Sequence, residues 1–144
     1  MRPWPAVALV LVAGCSDKAA DPARFYPPPD RAQAALETAL TGWQNGSSYG
    51  AVPGATDPVV QFIDARHAQG QKLTGYTILG LAPGDGPRVY TVKLTLSGAS
   101  ESVRTRYVVF GVDPVWVMRH EEYDQMAHWD HPMPKDAPAK SAGR

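Results

Sequence analysis

Residues 88–119, RVYTVKLTLSGASESVRTRYVVFGVDPVWVMR, decide the fold. Tyr90, Val92, Leu94 and Leu96 alternate with Val89, Thr91, Lys93 and Thr95, the two-residue period of a strand with one buried face. Gly98-Ala99-Ser100 turns the chain into a strand over 103–112, and Asp113-Pro114 makes a corner into a last one over 115–119. Parity puts Tyr107, Val109, Val115 and Val117 on the core face with Tyr90 and Val92. Val108, Phe110, Trp116 and Met118 then fall on the other face.

Working back from this stretch, 73–81 and 59–63 read as two more strands. PGDGP at 83–87 is a turn, 64–71 a turn or brief helix, and the Gly/Ser/Pro-rich run 46–57 a long loop. Upstream, Ala32, Ala35, Leu36, Ala39, Leu40 and Trp43 recur at three- and four-residue intervals, predicting an amphipathic helix. Asp30 with Gln33 suggests a capping box at its start, and Asn45-Gly46 a left-handed stop. One helix followed by short-linked strands is an α+β pattern, with the N-terminal helix packed on a curved antiparallel sheet of four to five strands.

This order and spacing over residues 30–120 resembles the cystatin-like and nuclear-transport-factor-like folds, which implies a curved sheet wrapping the helix. The run Asp64…Gly70…Leu73…Tyr76, followed by YTVKLTL and RYVVFGVDPVWVMR, also looks like bacterial lipoproteins with one small domain and no assigned activity. Neither resemblance carries a catalytic motif, and a fold class alone does not imply a function.

The N-terminus reads as an export signal. Arg2 precedes an apolar run over 6–13 that is far shorter than the roughly 20 residues needed to span a bilayer as a helix. Val12-Ala13-Gly14-Cys15 resembles the bacterial lipobox, an aliphatic residue and two small ones before a cysteine. That resemblance implies cleavage before Cys15 and acylation of its thiol and new amine. More than one acyl chain is needed for stable anchoring. Cys15 is the only cysteine, so no internal disulfide framework is available. Ser16, where the family's inner-membrane members carry aspartate, points to the periplasmic side of the outer membrane. The expected layout is a signal over 1–14, a lipidated Cys15 with a Pro-rich tether over 15–29, a domain over 30–120, and a polar, flexible tail over 121–144.

Fourteen basic and fourteen acidic residues balance, without a basic stripe to engage phosphates. Nucleic acid is therefore not an expected partner, and no cofactor is expected besides the covalent lipid. Partners would be the membrane, another envelope protein or a second copy.

Three residue groups are candidate sites. Phe110, Trp116 and Met118 on the outer sheet face form an apolar patch, covered either by a partner or by the chain's own ends, with the partner favoured narrowly. His120, His128 and His131, among carboxylates and methionines, have the residue types of a zinc or copper site, against a solvated acidic tail. Asp64 and His67 are the one Asp/His pair inside the domain and the minimum for acid–base work, against ordinary turn capping. Arg104 and Arg106 share a face and read as solvated. The sum favours a non-enzymatic binding module over an enzyme or metal-handling protein.

Overall fold

The structure, a computed structural model, describes residues 21–130. Cys15 and His131 lie outside the described residues.

Helix α1 spans Pro29–Gln44. Proline suits the first helical position because its missing N–H would have no partner there. The expected capping box does not form: Pro28 is the N-cap, without a side-chain bond, and Gln33 donates instead to Glu37. Asp30 still sits in the first turn, where a carboxylate favours the helix dipole. The predicted stripe from Ala32 to Trp43 is buried throughout. The helix stops in a Schellman turn, with Gly46 N–H on the Trp43 carbonyl and Ser47 N–H on the Gly42 carbonyl. Gly46 takes a φ of 82° there.

Six strands form one curled sheet: β1 Gly50–Thr56, β2 Val59–Ile63, β3 Leu73–Leu81, β4 Arg88–Leu96, β5 Val103–Phe110 and β6 Val115–Arg119. Their order is β1-β2-β6-β5-β4-β3, antiparallel except where β2 runs parallel to β6. The sheet is thus mixed and six-stranded, not antiparallel with four or five strands. Two causes account for the difference. Residues 50–56 carry Pro53 and Gly54, which argue for a loop, yet proline is tolerated in an edge strand, and β1 has an irregular register between Ala51 and Thr56. And β6 returns beside β2 from the far end of the sequence, a pairing that local patterns do not encode.

The helix lies in the concavity of this half-barrel. Val60, Phe62, Tyr90, Val92, Leu94, Tyr107, Val109, Val115 and Val117 close on Leu36, Leu40 and Trp43. The expected parity of β4, β5 and β6 holds. Between β2 and β3, Ala65–Ala68 forms the one-turn helix α2. It ends in a second Schellman turn, with Gly70 N–H on the His67 carbonyl and Gln71 N–H on the Arg66 carbonyl.

Helix α3, His120–Asp130, occupies much of what reads in sequence as a polar tail. It packs on the outer face of β5 and β6. The chain also meets its domain earlier than the tether reading allows. After a 3₁₀ turn over Pro22–Phe25, Gly111 donates to the Phe25 carbonyl at 2.7 Å, Arg88 Nε donates to the Pro27 carbonyl, and Pro27 is buried. Gly111 is required at this corner. Its φ is 79°, and a Cβ there would lie 2.6 Å from the Pro114 carbonyl oxygen.

Candidate functional site

The most concentrated chemistry surrounds Asp64, which is fully buried at the start of α2. Its Oδ1 accepts from the Arg66 backbone N–H at 2.8 Å and from Arg66 Nε at 3.1 Å. Its Oδ2 accepts from Arg66 Nη2 at 2.8 Å and from the Tyr107 hydroxyl at 2.6 Å. Arg66 Nη2 also reaches Thr105 Oγ1 at 3.3 Å. Burial alone would raise the Asp64 pKa, but the hydrogen bonds from Arg66 and Tyr107 and the Arg66 charge outweigh it and hold the carboxyl below its ordinary value. Burial, then the Asp64 charge, pushes the Tyr107 hydroxyl well above the usual range. With four donors on it, this carboxylate has no capacity left to take a proton from a substrate. It is a fixed internal charge that organises α2 against β5.

His67 is not its partner. The ring lies among Trp43, Phe62 and Tyr49, stacked on Trp43 at a centroid distance of 5.3 Å. Nε2 stands 2.8 Å from the Ser47 carbonyl, which can only accept, so Nε2 carries the proton. Nδ1 is buried with no hydrogen-bond partner among the described residues. The Asp64/His67 acid–base candidate therefore does not assemble, and Asp64 instead caps α2, the ordinary role weighed against it. Each side chain is turned to a different structural task.

The histidines of α3 are also apart. His120 Nδ1 pairs with Asp124 Oδ2 at 3.0 Å, and His128 Nδ1 contacts the Asp124 carbonyl at 2.6 Å. Eight residues separate the two rings, about 12 Å along a helix axis, too far to share one ion. Among the described residues no group of three His, Cys, Asp or Glu side chains could hold a metal ion.

The outer-face patch is covered by the chain itself. Phe110 stacks on Trp116 and meets Tyr123 of α3 edge-on at 5.3 Å. Met118 is 7% exposed. The arrangement matches the alternative of cover by the chain's own end, with Phe110 and Trp116 left half-buried. Glu122 locks α3 in place, taking a two-pronged ion pair from Arg119 and accepting from Ala65 N–H. Arg104 and Arg106 are exposed, as expected.

What the sequence does not disclose is a groove of about 660 Å³ between α1 and the β1–β2 edge. Arg31, Ala34, Ala35 and Thr38 form one wall, and residues 53–58 with Val60 the other. It was hidden because its second wall reads as a loop. No hydrogen bond or ion pair engages the side chain of Arg31 or of Asp57 among the described residues. Tyr107 offered one unread signal: a buried phenol needs a partner for its hydroxyl, and Asp64 is the nearest acidic residue before β3. Compared with protein families, with curated proteins and with solved structures, the chain finds no match.

Proposed function

We propose that this chain is an exported protein, cleaved before Cys15 and held on the periplasmic side of a bacterial outer membrane by acyl chains, whose domain is a non-enzymatic binding module. Its occupant is an extended segment of another envelope protein. The frame is read as cystatin-like or nuclear-transport-factor-like, and the helix cradled by a curled sheet supports that reading.

The observation that carries the proposal is the α1–β1 groove. The concavity of the sheet is filled by Trp43, Phe62, Tyr107 and the α1 leucines, so a ligand is taken beside the helix and not inside the half-barrel. Small side chains at Ala34, Ala35, Gly54 and Ala55 let a polypeptide backbone come close. The wall from Pro53 to Asp57 is about 13 Å long, which matches about four residues of extended chain. The outer edge of β1 pairs with no other strand, so an added strand finds backbone groups there.

A photo-crosslinking residue at Ala34 should trap a discrete adduct in the native envelope, and one at Lys93, on the exposed face of β4, should not. Ala34→Trp, placed in the background of a neighbouring crosslinker at Thr38, should abolish the adduct by filling the groove. Equal adducts at 34 and 93, or none at 34, would defeat the groove as the binding surface.

A further inference from the structure

We infer that the end of the domain carrying Phe25 and Val112 rests on the lipid surface itself, as an apolar contact with a zwitterionic membrane. The inference rests on the proposed acylation of Cys15, and it adds a defined orientation to the anchor. The β3–β4 and β5–β6 connections lie at the same end of the sheet, since Leu81 pairs with Tyr90, Arg88 with Val109 and Phe110 with Trp116. The segment 25–27 is fastened across that end through Gly111 and Arg88. The chain therefore leaves the domain towards Cys15 from a fixed point.

Length then limits the geometry. Six residue steps separate Cys15 from Asp21, which span at most about 21 Å even if fully extended. The tether reading over 15–29 allowed twice that. An acylated Cys15 thus keeps this end of the domain close to the headgroups, whatever path the intervening residues take. At this same end, Phe25 is 61% exposed and Val112 46% exposed, and their backbones are joined by the Gly111 bond to the Phe25 carbonyl. Leu81 closes β3 there and is also exposed. An aromatic ring held in water on a fastened backbone, beside the attachment point, fits insertion at a bilayer interface.

Charge selects the kind of surface. Asp30, Asp57, Asp85 and Asp113 are exposed at this end, against Arg24, Arg31 and Arg88, so no excess of positive charge there draws anionic lipid. The match is an uncharged, zwitterionic headgroup layer.

The test uses the full acylated protein in phosphatidylcholine vesicles. Because acylation blocks Cys15, a cysteine introduced by Phe25→Cys, Val112→Cys or Ser100→Cys is the sole free thiol for a polarity-sensitive fluorophore. Ser100 lies in the β4–β5 turn at the opposite end, roughly 25 Å away by strand length. Labels at 25 and 112 should shift to the blue and be quenched by lipid-borne nitroxide, with the label at 100 unchanged. Adding anionic lipid should reduce the shift. If the protein is acylated and floats with the vesicles but all three labels report water, the contact is overturned and the anchor stands. If mass measurement finds no acyl chain on Cys15, both are overturned. A blue shift at 25 and 112 that grows with concentration in the lipid-free Cys15→Ala protein assigns the patch to a second copy and overturns the inference.

Discussion

Asp64 shows how one side chain sets a stability limit. A buried carboxylate is tolerated because Arg66 and Tyr107 supply its hydrogen bonds, and removing one partner of a buried ion pair costs about 3–5 kcal/mol. Asp64→Asn should therefore lose about that much in denaturant unfolding near neutral pH. The pH dependence follows from its lowered pKa. Burial opposes the charge, but the bonds from Arg66 and Tyr107 prevail, so the folded state holds the proton less tightly than an unfolded aspartate with a pKa of about 3.9. Its contribution is complete above that value and is lost as pH falls through the lower, folded pKa. The gap between wild type and Asp64→Asn should narrow below about pH 4, and a gap that stays constant to pH 2 would show that Asp64 is not charged in the fold. At this scale the sequence was legible only in part. It singled out Asp64 and His67 as residues of consequence, but spacing cannot say which neighbour a carboxylate turns to. Arg66, two residues on, and Tyr107, on a strand 43 residues away, are the groups that satisfy it.

Elements were read best where burial imposes a period. The α1 stripe and the alternation in β4, β5 and β6 are direct records of one buried face, and they appear at the expected positions. β1 and α3 escaped for opposite reasons. An edge strand need not donate from every residue, so β1 accommodates the Pro53 that argues against a strand. Helix α3 is held by Tyr123 against Phe110 and by Glu122 on Arg119, contacts made with another element and not signalled by its own polar composition. Deleting residues 121–144 should expose Phe110, Trp116 and Met118. The expected outcome is a lower Tm and concentration-dependent aggregation, followed by light scattering. Full solubility with an unchanged Tm would mean that α3 does not cover this face in solution.

The proposed acyl anchor on Cys15 would govern how the molecule as a whole is placed. With the chain fastened at residues 25–27, such an anchor would keep the domain near the bilayer, and the groove between α1 and β1–β2 would open at a limited height above it. Cys15→Ala should leave the protein exported but free of membranes after a salt wash, read by fractionation and immunoblot. Retention in the membrane pellet would sink the acyl-anchor reading. The balanced composition argues against a nucleic-acid partner, and the lipobox-like stretch suggests the address. The position of the groove was not legible, because it needs the three-dimensional neighbourhood of α1 and an edge strand.

The parallel pairing of β2 with β6 also has a consequence in time. Without Val115–Arg119 the strands fall into two separate sets, β1–β2 and β5–β4–β3, because among the described residues β6 is the only strand that touches both. Val60 pairs with Val115 across most of the domain, and such long-range pairings close slowly. A nascent chain therefore cannot complete this sheet until Val115–Arg119 has been made. The joining of the two strand sets within the sheet is thus reserved for the end of synthesis of the described domain.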